Sequence, residues 1–274
     1  MRPVGEMIDR SAQSAQQDRG STDRFGYSWN HFYDLTDDQE SQFRLWTSLI
    51  DPKTGWKNRT ILDVGCGAGR NSYWAMRYGA SGGLAIDLDE RSLERARLNL
   101  EAFPEMEVRK QSIYDLEYSE KVDIAFGIGV IHHLEEPGKA LARMVRATKP
   151  GGVVLIWVYG YENMELYVNF MNPIRTYIFS KLPMKTVWWM AYMPAALLWG
   201  LLRLGFGRIS YFRLIREFSF RHLHHIIVDQ MLPQIANYWR RDEVEALMNR
   251  AGLQNIELEW VNEMSWAAIG TCPK

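Results

Sequence analysis

Cysteine is scarce in this chain. Only Cys66 and Cys272 occur in 274 residues, far apart in the sequence. That excludes a disulfide framework and a cysteine zinc site, and it suits a reducing compartment. An excess of one charge is missing too. The chain carries 32 Lys and Arg against 33 Asp and Glu, for a formal net charge of −1, so overall charge gives no argument for nucleic acid. The first 22 residues lack the apolar stretch of a signal peptide, being polar at Ser11, Gln13, Ser14, Gln16, Gln17 and Asp18. Residues 1–22 are expected to form a disordered tail. The uncharged run 186–202 has 17 residues, near the lower limit for a bilayer span, and Pro194 and Gly200 interrupt it. A transmembrane helix is therefore not expected.

What the chain does have is an alternation of short apolar runs with helical patterns. Strands are predicted at 61–64, 84–86, 106–109, 122–126 and 153–159. Helices are predicted at 37–49, 70–78, 91–103 and 137–148. Asp89 can cap the third helix, Pro104 ends it, Pro137 can start the fourth, and Pro150-Gly151-Gly152 stops it. Strands apolar throughout indicate a parallel sheet covered on both faces. The alternation fails between 160 and 239 and resumes with a helix at 242–251. Two strand-like runs follow, 256–260 and 266–271. They are too close to enclose a crossover helix, so they form an antiparallel hairpin.

The densest signal is Thr60-Ile61-Leu62-Asp63-Val64-Gly65-Cys66-Gly67-Ala68-Gly69-Arg70. An apolar run ends, three glycines fall at alternate positions, and a helix begins. Such a loop lets a ligand lie against backbone N–H groups. Asp87 closes the second apolar run, where an acid suits a ribose with two free hydroxyls. The nicotinamide fingerprint spaces its glycines G-x-G-x-x-G, whereas Gly65, Gly67 and Gly69 are spaced G-x-G-x-G. The first four strands end at Gly65, Asp87, Ser112 and Gly127, on the side of a parallel sheet where ligands bind.

Together with Ile128-Gly129-Val130-Ile131-His132-His133-Leu134, Lys149-Pro150-Gly151-Gly152 and the terminal hairpin, these residues make the chain resemble the class I S-adenosylmethionine-dependent methyltransferases. The resemblance covers about residues 58–160 and 240–272. It implies an α/β, Rossmann-like fold with a seven-stranded, mostly parallel sheet, an antiparallel last strand and a helical cap inserted after strand five. It implies S-adenosyl-L-methionine as methyl donor and S-adenosyl-L-homocysteine as product. Gly65, Gly67 and Gly69 would approach the methionine part and the adenosine, and Asp63 would orient the loop or reach the amino group. Asp87, with Leu88 beside it, would hold the ribose. Ser112 and Ile113 would frame the adenine, Ser112 standing where the family commonly has an acid. Gly127, Ile128 and Gly129 would line the methyl-transfer position, and Tyr27 and Trp29 would cover the cofactor. Residues 23–159 and 240–274 would form the donor-binding domain with its N-terminal helix, and 160–239 a helical substrate cap.

Histidines supply the catalytic candidates. His132 and His133 follow strand four, where they either take part in the chemistry or simply cap a helix and pack beside the cofactor. His222, His224 and His225 lie near Asp229. On an extended segment, His222 and His224 would share a face as general base or substrate contacts. No cysteine or carboxylate partner stands at zinc spacing, so no metal is expected. Between 173 and 221 eight Lys and Arg face Glu217 as the one acid, among Trp188, Trp189 and Trp199. That composition suits a lid over the active site, a membrane-surface lid that admits an amphiphilic substrate, or a site for an anionic small molecule. Basic residues mixed into so apolar a segment do not suit nucleic acid.

The expected function is methyl transfer to an O, N, S or C nucleophile of a small molecule, in the cytoplasm, with peripheral membrane contact left open. The alternatives are an amphiphilic or lipid-linked acceptor at a membrane surface, a tRNA or protein acceptor, and a cofactor-binding module without catalysis.

Overall fold

The computed structural model describes residues 24–27, 35–207 and 210–274. The expected tail 1–22 and Trp29 lie outside the described residues. Helix α1 (Asp37–Trp46) precedes strand β1 (Thr60–Val64). Then come α2 (Arg70–Arg77), β2 (Gly82–Asp87), α3 (Glu90–Asn99), β3 (Met106–Lys110), β4 (Val122–Ile128), α4 (Pro137–Ala147) and β5 (Thr148–Tyr159). The chain ends with α10 (Arg241–Arg250), β6 (Gln254–Val261) and β7 (Ser265–Thr271). The seven strands form one sheet in the order β3-β2-β1-β4-β5-β7-β6. β1 to β5 pair in parallel, and β7 runs antiparallel between β5 and β6.

The continuous apolar runs are explained by burial on both faces. In β1, Leu62 and Val64 join the core formed with Leu141 and Met144 of α4 and Val244 and Met248 of α10. Their neighbour Ile61 joins the opposite core, with Phe43 of α1, Ala75 of α2, Leu93 of α3 and Phe126 of β4. Successive residues of a strand point to opposite faces, so a strand covered on both sides has no polar phase. Each fully buried side chain of this size contributes roughly 1.5–3 kcal/mol. Local signals agree with the packing. Asp89 Oδ1 accepts from Ser92 N at 3.0 Å and caps α3, and Pro137 opens α4. The hairpin turns at Asn262 and Glu263, both at positive φ, as primed hairpin turns require.

Some boundaries differ from the sequence pattern. β4 runs on to Ile128, and β5 begins at Thr148 because Thr148 pairs with Val122 ahead of an irregularity in the ladder. α4 therefore stops at Ala147.

Between β5 and α10 the chain is helical: a π-helical turn at Tyr167–Met171, then α5 (Asn172–Tyr177), α6 (Met184–Met190), α7 (Tyr192–Arg203), α8 (Ser210–Arg216) and α9 (Phe220–Met231). Two small apolar cores hold it together, one around Val187, Val228 and Leu232 and the other around Leu202, Ile215 and Leu223. Its two ends meet. Gly160 bridges Trp239, Trp239 N donates to Tyr159 O at 3.1 Å, and Tyr161 N donates to Trp239 O at 3.1 Å. No helix among the described residues is long and apolar enough to cross a membrane.

The expectation of an extended segment at His222–His224 is corrected. The stretch is the first turn of α9, capped by Ser219, whose Oγ accepts from His222 N at 3.2 Å. A helix pairs residues three and four apart, so His222 faces the same way as His225 and Asp229 and away from His224.

Candidate active site

A cavity of about 290 Å³ opens beyond the carboxyl ends of β1, β2 and β4 and continues beneath α9. Its donor end is built by the glycine loop. Gly65, Gly67 and Gly69 all take positive φ, at 69°, 52° and 74°. A Cβ on Gly65 would lie 2.6 Å from Val130 Cγ2, so no larger residue fits there. Gly65 N and Cys66 N donate to Ile86 O at 2.9 and 3.0 Å, which fixes the loop against β2. Asp87 holds the arrangement from the other side. One carboxylate oxygen accepts from Gly67 N at 2.9 Å, and the other accepts from Leu88 N at 2.7 Å and Asp89 N at 3.0 Å. Burial still holds the Asp87 carboxyl above its ordinary range, against these bonds.

Asp63 lies behind the loop. It is 1% exposed and accepts from Ser72 Oγ at 2.7 Å through Oδ2, while Oδ1 has no partner among the described residues. Burial, with the Asp87 charge adding to it, pushes its pKa up to about 7. Asp63 does not line the cavity, and its bond goes to Ser72 of α2.

The remaining donor-end residues fall as follows. Gly65, Asp87, Leu88, Ser112 and Ile113 line the cavity, joined by Cys66, Arg70 and Gln111. Gly67 and Gly69 shape the loop from outside it. Gly127 is a position within β4, and the cavity wall beyond it is made by Ile128 and Gly129. Tyr27 sits against the helical segment, its ring 6.0 Å from Trp188, while Phe25 and Gly26 face the cavity. The buried Arg24 makes this possible. Its guanidinium donates to the carbonyls of Phe179, Ser180, Leu182 and Leu232, which pins the N-terminal turn across the cleft.

The far end of the cavity, beneath α9, is aromatic with a few polar groups. Trp157, Tyr159, Tyr211 and Tyr238 line it, with His133, His222, His225, Asp229 and Gln230. Trp157 Nε1 donates to Ser265 Oγ at 3.0 Å, and Gln230 Nε2 donates to Tyr159 Oη at 3.1 Å, so both rings are held in place. His225 Nε2 stands 3.0 Å from Asp229 Oδ2. The His222 ring stacks on Phe218 at 4.2 Å, and burial first, then His225, brings its pKa down to about 4. His224 turns away from the cavity. Its Nε2 meets Trp188 O at 3.0 Å, and burial lowers its pKa. His133 lines the cavity with Nδ1 2.8 Å from Ile235 O, and burial brings its pKa to about 4. His132 does not reach the cavity. It is fully buried against Tyr159 at 3.9 Å and kept neutral by burial, and its carbonyl accepts from Asn237 N at 2.8 Å.

Sequence reasoning missed Phe25, Trp157, Tyr159 and Tyr238 as site residues. Each reads locally as core or as strand, and only the tertiary fold brings them to one cavity.

Comparison with known proteins agrees with this geometry. Residues 62–156 match the family described as "Methyltransferase domain". The chain is 30% identical over 159 residues to a ubiquinone biosynthesis O-methyltransferase of Pseudomonas savastanoi pv. phaseolicola, covering 54% of this chain and 67% of that protein. It is 30% identical over 195 residues to the protein of the same name from Paracidovorax citrulli, covering 63% of this chain and 78% of that one. Among solved structures, the Burkholderia thailandensis 1,6-didemethyltoxoflavin-N1-methyltransferase, with 1,6-didemethyltoxoflavin and S-adenosylhomocysteine bound, superposes with a TM-score of 0.58. It is 15% identical and covers 99% of this chain and 94% of that one, a likeness of fold.

Proposed function

The chain belongs to the class I S-adenosylmethionine-dependent methyltransferases, and from that premise we propose that it methylates a hydroxyl oxygen of a planar small molecule held beneath the segment 160–239. In this reading residues 23–159 and 240–274 form the donor domain and 160–239 the acceptor cap. The observation that carries it is the His225–Asp229 pair, 3.0 Å apart, on the wall of the same cavity as Gly65 and Asp87.

The donor end fits the cofactor. A glycine cradle that a Cβ would fill, with a carboxylate fixed beside it, suits an adenosine ligand. Gly65 and Cys66 would lie along it, Asp87 would take the ribose hydroxyls, Ser112 and Ile113 the adenine, and Arg70 would face the carboxylate. Bound there, S-adenosylmethionine supplies a sulfonium methyl that is already electrophilic. The chain then has to align the acceptor, exclude water and remove a proton. Trp157, Tyr159 and Tyr238 offer flat walls for a planar ring. The hydroxyl proton of the acceptor would pass to the His225–Asp229 pair and from there to solvent. The Asp229 carboxylate, 3.0 Å from His225 Nε2, offers that proton a second acceptor. The O-methyltransferase relatives support oxygen as the accepting atom.

The test is transfer from radiolabelled S-adenosylmethionine to a panel of hydroxylated and amino aromatics. Hydroxylated acceptors are expected to react. His225→Gln should lower kcat by about 10²–10⁴-fold while leaving S-adenosylhomocysteine affinity unchanged by calorimetry. Methylation of amines alone, or an unchanged kcat, would sink the reading.

A second reading is an anionic or amphiphilic acceptor met by a cytoplasmic enzyme peripheral at the membrane. It is favoured by the apolar side chains that the segment 166–206 turns to solvent.

A further inference from the structure

Among the described residues fifteen large hydrophobic side chains are exposed, and all but Leu98 lie between residues 166 and 206. Within 166–216 the sequence places seven Lys and Arg and no Asp or Glu. The two facts coincide on α6 and α7. Helix α7 carries one charged residue, Arg203, at its end. Its inner side is covered, with Ala195 and Leu202 buried. Its outer side presents Met193 at 80% and Leu197 at 65% exposure, one turn apart, and Leu204 follows at 77%. Trp189 of α6 adjoins them at 72% exposure, its ring 5.4 Å from Tyr192. A helix apolar on all sides is normally buried on all sides.

The covering is not a bilayer crossed from side to side, since α7 at ~18 Å is shorter than the ~30 Å hydrocarbon core. Its rim has the chemistry of a lipid interface. Lys181 and Lys185 are exposed next to the apolar side chains. Lys181 lies over the Tyr177 ring at 5.9 Å, and Arg203 lies over the Trp199 ring at 5.1 Å. Aromatic rings paired with cations, around an apolar stripe and without acids, match a headgroup region of negative charge. A protein partner would not require acids to be absent over so long a stretch.

We propose that the outer face of α6 and α7 docks on an anionic lipid bilayer, lying in the interface with Trp189, Met193 and Leu197 inserted and Lys181, Lys185 and Arg203 at the headgroups. The proposal deepens the second reading above, since a cap seated on a membrane places the acceptor cavity next to amphiphilic molecules.

The test is co-sedimentation of the full chain with vesicles of phosphatidylglycerol and phosphatidylcholine, or of phosphatidylcholine alone, at two salt concentrations. S-adenosylhomocysteine binding is measured by calorimetry on the same samples. The wild type should pellet with the anionic vesicles, less so at high salt, and hardly with phosphatidylcholine. Met193→Ser/Leu197→Ser should weaken pelleting about tenfold or more, and Lys181→Gln/Lys185→Gln should remove the preference for phosphatidylglycerol. Both variants should keep wild-type cofactor affinity, which shows that they are folded. No pelleting of a wild type that binds S-adenosylhomocysteine would overturn the proposal. So would equal pelleting of the serine variant, or self-association in sedimentation velocity that is lost in that variant while no vesicle is bound. Absence of S-adenosylhomocysteine binding by the wild type would instead overturn the methyltransferase reading, with pelleting still judging the face.

Discussion

Asp63 connects the donor loop to a measurable pH dependence. Its carboxyl is 1% exposed, accepts one bond from Ser72, and has a folded-state pKa of about 7 against 3.8 for the free side chain. The folded protein therefore holds this proton more tightly than the unfolded chain does. Such a group adds stability that is full below pH 4 and is lost as pH rises through 7. At one pKa unit per ~1.36 kcal/mol, about 2 kcal/mol is present at pH 5.5 and nearly all of it is gone at pH 8. His132, His133 and His222 act in the opposite sense, because each is held neutral and penalises folding below pH 6.5. The wild-type profile alone mixes these terms, so the comparison must be with Asp63→Asn. The amide resembles the protonated acid and can still accept from Ser72. Urea unfolding followed by circular dichroism, without cofactor, should show the Asp63→Asn variant gaining about 2 kcal/mol on wild type between pH 5.5 and pH 8. In melting temperature that is about 4–8 °C. Parallel profiles across this range would refute the reasoning, because they would mean that Asp63 titrates as if in water.

Two further outcomes follow from the geometry. Gly65→Ala forces a side chain into positive φ and against Val130, so it should cost more than about 1–2 kcal/mol and abolish S-adenosylhomocysteine binding in calorimetry; unchanged affinity would contradict the cradle. Arg175 is 2% exposed with Nε lacking a partner among the described residues, Nη2 donating to Asn172 and Tyr238 beside it. Arg175→Met replaces a poorly compensated buried charge by an apolar chain, so thermal unfolding should be unchanged or rise by about 2–4 °C; a marked fall would show that the guanidinium is paired in solution.

The donor half of the molecule was legible because its signals are local. β1, β2 and β4 are apolar on both faces, the glycine loop needs positive φ at fixed positions, and the hairpin is too short for a crossover. Gly65, Asp87 and Ser112 could be named as candidates from the chain because strand ends put them on one side of the sheet, where they line the cavity. The half of the cavity beneath α9 was not legible in the same way. His225 and Asp229 meet only if 220–231 is a helix, and His222, His224 and His225 give no period to decide it. Ser219, the cap residue that starts α9, was the available signal. Tyr159 and Tyr238 stack at 5.4 Å across 79 residues of sequence, and no local pattern announces such a contact. Tyr27 and Phe25 stand two residues apart, and nothing local tells which of them faces the cavity. Arg24, by binding four carbonyls of the helical segment, decided which ring faces inward.

The junction at Gly160 and Trp239 has a consequence for how such a molecule can change. The helical segment leaves the sheet and rejoins it at neighbouring residues, tied by the bonds among Tyr159, Tyr161 and Trp239. An excursion whose ends already touch imposes little strain on its host, so its length and sequence can vary while the register of β5 with β4 and β7 is kept. On the proposed reading of that segment as the acceptor cap, selectivity is thereby separable from donor chemistry. A graft of a different excursion at the same two residues should retain the donor's grip while offering a different acceptor chamber, which makes this junction the natural point for recombining specificities by design or by evolution.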